Sequence, residues 1–208
     1  KRRRMNFDPQ IPDWGKSFSD SKLEQLLSYH NWLKTTGIKT GLISPKSEQF
    51  IWDEFIVHSL YFYKVIIDLN TTLSKVYDLG TGAGIPGIPV GIVSPEHVQL
   101  IDIKQTRIYE LERFLNTNKQ LNISALKTDA ELLIQKEDNS IFLMRCYIPK
   151  DQLIDKLKKN MYTNKNSVFI LSSKSDSQDL KRDLFHVKQE KFLINQDEYR
   201  FIDVITVK

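Results

Sequence analysis

Apolar residues follow a helical period in the first third of the chain and short strand-like runs after it. Leu23, Leu26, Leu27, His30 and Leu33 recur at i, i+3, i+4, i+7 and i+10, one helical face. Ser21 and Glu24 have capping-box spacing ahead of that face, and Gly37 is placed to end it. Ser44-Pro45 opens a second predicted helix, whose stripe is Phe50, Ile51, Phe55, His58 and Phe62. From residue 74 the period changes. Runs at 76–79, 98–102, 123–127, 141–144 and 168–171 read as strands. Helical stretches at 105–119, 131–135 and 150–161 separate them. Two longer strands, 184–194 and 200–207, flank the turn-like Asn195-Gln196-Asp197. Strands alternating with helices predict an α/β fold with a mostly parallel sheet, and the closing pair predicts an antiparallel edge. The patterns divide the chain into a basic arm (1–18), an N-terminal helical subdomain (19–73) and an α/β domain (74–208).

Composition narrows the class without changing that picture. At 208 residues, with 40% hydrophobic and 27% charged positions, the chain can bury a core without disulfides. No apolar run approaches the roughly 18 residues of a membrane span, and no apolar segment of a secretory signal follows the basic start. The net charge is +4, and Lys1, Arg2, Arg3 and Arg4 match that whole excess. Net charge therefore carries no argument for nucleic acid. The single cysteine, Cys146, forms no internal bridge and no Cys-based zinc site, so the expectations are a reducing compartment, no metal and a small buried thiol. Trp14, Trp32 and Trp52 are expected as packing residues, and His58 as a hydrogen-bonded, partly buried one.

Candidate chemistry centres on Asp78-Leu79-Gly80-Thr81-Gly82-Ala83-Gly84-Ile85-Pro86-Gly87, a glycine-rich loop between a strand and a helix. Glycines there permit a sharp turn and close approach to a ligand. Asp102 ends the next strand, where a carboxylate can accept both hydroxyls of a ribose. Gly82-x-Gly84-x-x-Gly87 also meets the dinucleotide fingerprint, which keeps a nicotinamide or flavin reading open. Two residues favour S-adenosylmethionine. Asp78, placed at the loop mouth, would repel a pyrophosphate and suit a sulfonium, and Pro86 offers a phosphate no N–H.

Residues 78–89, reading DLGTGAGIPGIP, resemble the glucose-inhibited division protein B family of bacterial methyltransferases. Ser94-Pro95-Glu96, Leu100-Ile101-Asp102, Arg107, Asp129-Ala130-Glu131, Met144-Arg145 and Lys174 match further family positions in order, over residues 20–207. The resemblance implies a Rossmann-like class I methyltransferase fold with a seven-stranded sheet. It also implies methyl transfer from S-adenosylmethionine to N7 of a guanine in small-subunit ribosomal RNA. Carried over by position, Gly80, Ile85, Ala130, Glu131 and Arg145 line the cofactor site, joined by Asp78, Gly82, Gly84 and Asp102 from the loop argument. Arg145 is the candidate substrate-pocket wall. Arg107, Lys174 and the lysines of 150–165 are the candidate RNA contacts. The implied partner is ribosomal RNA or the small ribosomal subunit, met by a monomer without a membrane. The expected location is the cytoplasm, or alternatively a mitochondrial or plastid matrix.

Some positions depart from the family. Thr40-Gly41-Leu42-Ile43 stands where the family has an Asn-Leu-Thr element. Phe55-Ile56-Val57-His58-Ser59-Leu60 stands for His-x-x-Asp-Ser-Leu, Cys146 for the Ala after the Arg, and Ser175 for the Gly after the Lys. These departures leave open an alternative, a catalytically degenerate relative serving as a structural or assembly component of a ribosome.

Overall fold

The computed structural model describes residues 7–73, 75–159, 166–174, 180–181, 185–195 and 197–207. Helix α1 (Asp20–Trp32) is capped by Ser19, whose side chain accepts the Lys22 N–H at 3.4 Å. The cap thus lies two residues before the predicted one, because Ser19 is the last extended residue. Leu26, Tyr29, His30 and Leu33 are buried, while Leu27 turns outward. The helix does not stop at Gly37. It runs on through a π-helical turn, Leu33–Gly37, and ends at Gly41, whose φ of +73° suits a helix C-terminus.

Helix α2 (Glu48–Ile51) is capped by Ser47 rather than Ser44 and continues through a second π-helical turn, Trp52–Val57, into α3 (His58–Asp68). The wider turn shifts the phase of the apolar stripe. Ile51, His58 and Phe62 are buried as the periodicity predicts, but Phe50 is exposed and Phe55 only half-buried.

Eight strands form one sheet: β1 (Lys75–Leu79), β2 (Val98–Asp102), β3 (Ile123–Lys127), β4 (Ser140–Met144), β5 (Val168–Ser173), β6 (Leu180–Lys181), β7 (Phe185–Leu193) and β8 (Tyr199–Val207). Their order is β3-β2-β1-β4-β5-β8-β7-β6. The first five are parallel, and β8, β7 and β6 add an antiparallel edge. The eighth strand, beyond the seven expected, is the two-residue β6, too short to leave a periodic signal. Helices α4 (Gly87–Val93), α5 (Gln105–Thr117), α6 (Ala130–Lys136) and α7 (Lys150–Lys158) connect the parallel strands.

Both faces of the sheet are covered, which explains why β4 reads as a continuous apolar run. Ile141 and Leu143 face one core with α1, α3, α4 and α5, and Phe142 and Met144 face the other with α6 and α7. The helices of 19–73 share the first core with the sheet, although sequence pattern sets them apart as a subdomain. Residues 7–18 of the expected arm pack on the same core. Phe7 stacks on His30 at 4.6 Å, and Trp52 Nε1 donates to Gln10 O at 2.6 Å. Lys1, Arg2, Arg3 and Arg4 lie outside the described residues.

The strand order reverses at β1 and β4, so a crevice opens at their carboxyl ends, the usual ligand site of such sheets. The register pairs Leu79 with Met144, which brings Gly80 and Arg145 to the same edge. Helix α4 approaches β1 closely at Gly87. A Cβ there would lie 2.3 Å from Leu100 and 2.6 Å from the Asp78 carboxylate, both fully buried. Gly87→Ala is expected to lower stability by about 1–3 kcal/mol through overpacking, read as a lower urea midpoint at unchanged slope.

Candidate functional site

The glycine loop arches over a buried carboxylate. Asp78 Oδ2 accepts the Thr81 hydroxyl at 2.5 Å and the Gly87 N–H at 2.9 Å, and Oδ1 is buried without a hydrogen bond. Asp78 is 0% exposed, so the structure places it beneath the loop rather than at its mouth. Burial pushes its pKa up to about 7, against the lowering effect of the Thr81 and Gly87 hydrogen bonds. Gly80, Gly82 and Gly84 all have positive φ, +67°, +59° and +91°. A Cβ on Gly80 or Gly84 would strike Tyr147 or Ile88, whereas above Gly82 the nearest atom is 3.9 Å away. Gly82 therefore presents bare backbone to open space, a cradle that fits a ligand lying across the loop.

Asp102 is buried at the end of β2. Its Oδ2 accepts the Gly82 N–H at 3.1 Å and Arg107 Nη1 at 3.0 Å, and its Oδ1 accepts the Lys104 N–H at 2.9 Å. Arg107, expected at RNA, is thus ion-paired inside the site because the first turn of α5 points back at β2.

Two lobes meet at Gly80 and Arg107. One, about 340 Å³, is lined by Asp102, Ile103, Thr128, Asp129, Ala130, Glu131 and Tyr147. The other, about 400 Å³, is lined by Phe50, Phe55, Thr81, Gly82, Ala83, Ile85, Arg145 and Cys146, with residues 42–44 and Lys46. The first carries three carboxylates, and the second carries Lys46, Arg107 and Arg145 with no carboxylate among its described lining residues. Gly84, of the predicted set, lines neither lobe and serves the turn and its packing on Ile88.

Arg145 is nearly buried. Its guanidinium lies 5.0 Å from the Phe55 ring centroid and 3.7 Å from Glu54 Oε2, and burial lowers its pKa. Glu54, 8% exposed, also pairs with Arg200 of β8 through both carboxylate oxygens. Sequence reading missed Glu54 and Arg200, since no local pattern links positions 146 residues apart. His58 departs from its expected hydrogen-bonded state. Both ring nitrogens are buried without partners, and burial with Arg145 and Arg200 nearby lowers its pKa to about 3. Cys146, expected buried, is exposed at the cleft with φ +60°.

The remaining candidates divide. Ala130 and Glu131 line the first lobe as predicted, with the Glu131 carboxylate paired to Lys156. Lys150 pairs with Asp203 at 3.2 Å. Lys150 and Lys156 are thereby held by acids rather than presented to phosphate. Lys174 is exposed just past β5 and lines neither lobe. Lys165 and Ser175 lie outside the described residues.

The geometry disfavours a dinucleotide. The Gly87 N–H at the start of α4 is already given to Asp78, and the Gly82 N–H to Asp102. The Asp129 side chain accepts the Glu131 N–H at the start of α6. A pyrophosphate would meet Asp102 and Asp129 in the lobe and find these N–H donors already taken.

Comparison with known proteins agrees. The family model for rRNA small subunit methyltransferase G (GidB) matches residues 22–200. The chain belongs to this family. A member from Flavobacterium johnsoniae is 31% identical over 183 residues, 83% of each chain. One from Corynebacterium jeikeium is 34% identical over 122 residues, 55% of this chain and 51% of its own length. Among solved structures, magnesium protoporphyrin IX methyltransferase from Synechocystis aligns with a TM-score of 0.52 over 92% of this chain and 99% of its own, at 15% identity. That likeness establishes the class I methyltransferase fold for this member of the family.

Asp102→Ala is expected to weaken S-adenosylmethionine binding about tenfold or more by calorimetric titration, since it removes a charged acceptor from the first lobe. Asp78 brings a pH effect. A carboxyl whose pKa is raised on folding favours the folded state while protonated, so its contribution is fully present below about pH 4 and is lost as pH rises through about 7. Urea unfolding of Asp78→Asn across that window should show a flatter pH dependence than the parent.

Proposed function

We propose that this protein transfers the methyl group of S-adenosylmethionine to N7 of a guanine in small-subunit ribosomal RNA. Family membership carries the coarser part, S-adenosylmethionine-dependent methylation of ribosomal RNA. The observation that supports the finer part is the cleft itself, a cationic, aromatic-lined lobe with no carboxylate or histidine among its described lining residues, opening beside the acidic one.

The acidic lobe suits the adenosine end of the cofactor. Asp102 would accept from the ribose hydroxyls, and Ala130 and Glu131 would lie along the adenine. The bare backbone at Gly82 lets the remainder cross into the second lobe. The cofactor supplies an electrophilic methyl group. Guanine N7 carries a free lone pair and no proton, so its attack calls for no base. The second lobe fits that demand. Its described titratable lining groups are Lys46, Arg107, Arg145 and Cys146, and His58 lies outside the lining.

What the chain supplies is placement. Arg145 would form one wall of the guanine pocket, its guanidinium held by the Phe55 face and by Glu54. The target base must leave its stack to reach that pocket. Arg107, shared by both lobes, sits where cofactor and base would meet. Such a protein works where small ribosomal subunits are made.

The degenerate reading rests on the departures at Phe55, His58 and Ser175. Two of these, Phe55 and His58, form a packed arrangement in which Phe55 supports Arg145 and His58 stays neutral. The test is methyl transfer from labelled cofactor to small-subunit RNA, followed by borohydride and aniline treatment, which breaks RNA at N7-methylguanine. Label incorporation with a single new scission is expected. Arg145→Ala should lower the rate about a hundredfold or more while the parent fold persists. Incorporation without scission would move the reaction to another atom, and no incorporation would favour the structural role.

A further inference from the structure

Four side chains of the second lobe form a ladder of two rings with a cation at each end. Lys46 Nζ lies 5.2 Å from the Phe50 ring centroid. Phe50 meets Phe55 edge-on, with centroids 5.8 Å apart and planes at 89°. Phe55 in turn lies under the Arg145 guanidinium at 5.0 Å. All four line the same cleft of about 400 Å³. The inner half of the ladder is packed, and Arg145 is held by Glu54. The outer half is open, with Phe50 39% exposed and Lys46 exposed beside it.

Phe50 lies on α2 just before the wider turn Trp52–Val57 and stands at the cleft mouth while its neighbour Ile51 is buried. Its backbone is fixed there, because Ser47 Oγ accepts the Phe50 N–H at 3.2 Å. An isolated exposed Phe is ordinary. This one stands over a cleft that already has an aromatic floor, three cations and no carboxylate among its described lining residues.

We infer that Phe50 is a stacking platform for an unstacked base of the RNA substrate, and that Lys46 contacts the phosphate beside that base. The inference rests on the proposed function and adds to it the residues that hold the substrate strand. A ring face with a lysine above it offers a nucleotide both of its binding elements, an apolar plane for the base and a point charge for the phosphate. The charge complementarity favours RNA over an apolar protein segment, which would gain nothing from Lys46, Arg107 and Arg145.

The experiment compares the parent with Phe50→Ala, Phe50→Leu, Phe50→Trp and Lys46→Ala. Affinity for a small-subunit RNA fragment is read by fluorescence anisotropy, the Michaelis constant for RNA by label transfer, and cofactor affinity by calorimetry. Phe50→Ala and Phe50→Leu should each weaken RNA binding about tenfold, within the range of one lost base stack, and raise the Michaelis constant in parallel. Phe50→Trp should bind as the parent does, and cofactor affinity should be unchanged in all three, which also certifies the fold. Lys46→Ala should reduce the slope of log affinity against log salt by about 0.7, one single-strand phosphate.

Parent-like binding by Phe50→Leu would show that the ring only packs and would overturn the inference. Weak binding by Phe50→Trp would do the same. If the parent binds the RNA but methylates nothing in it, the proposed activity falls, and the anisotropy series still decides the platform. If the parent methylates the RNA and Phe50→Ala does so with an unaltered Michaelis constant, the platform alone falls.

Discussion

One oxygen of Asp78 accepts both the Thr81 hydroxyl and the Gly87 N–H, and the cleft is built around that pair of bonds. They draw the end of β1, the glycine loop and the start of α4 onto a single buried point. Gly87 can come so close only because it has no Cβ, and Gly80, Gly82 and Gly84 supply the left-handed turns between. The carboxylate is desolvated in the process, and its raised pKa records the cost of keeping it dry. The backbone of Gly82 is left facing outward over the crevice where the strand order reverses.

The two lobes beside that loop differ in charge, and the difference sorts the ligands. Asp102, Asp129 and Glu131 give one lobe three carboxylates, a lining unfavourable to a pyrophosphate. Lys46, Arg107 and Arg145 make the other side cationic. Arg107 is the hinge of this division, neutralised by Asp102 yet lining both lobes. A far pair completes it. Arg200, from the last strand, holds Glu54, and Glu54 holds Arg145, so the antiparallel edge of the sheet steadies the wall of the second lobe.

The π-helical turns at Leu33–Gly37 and Trp52–Val57 depart from the periodic reading. Each adds a residue to a turn and so rotates one side of the helix against the other. Glu54, which lies within the second, is buried against Arg145 and Arg200. Hydrophobic spacing cannot reveal such a turn in advance, since the same residues would satisfy a regular helix until the packing partner is known.

Local chemistry was legible in the chain. The glycine spacing, the acid at the end of β2 and the continuous apolar strands arise from backbone sterics and from burial of both sheet faces, and these act over a few residues. They were enough to set the fold class and to bring Gly82 and Asp102 to one crevice, while Gly80, Ile85, Ala130, Glu131 and Arg145, which also line it, were indicated by the family resemblance. Pairing between distant charges was not legible. The acids that hold Arg107, Lys150 and Lys156, the position of Asp78 beneath the loop, and the Arg200–Glu54–Arg145 chain depend on which elements lie side by side. A lysine in sequence is only a charge. Whether it meets an acid of the same chain or the phosphate of another molecule is decided by tertiary packing, because Coulomb attraction depends on distance in space rather than along the chain.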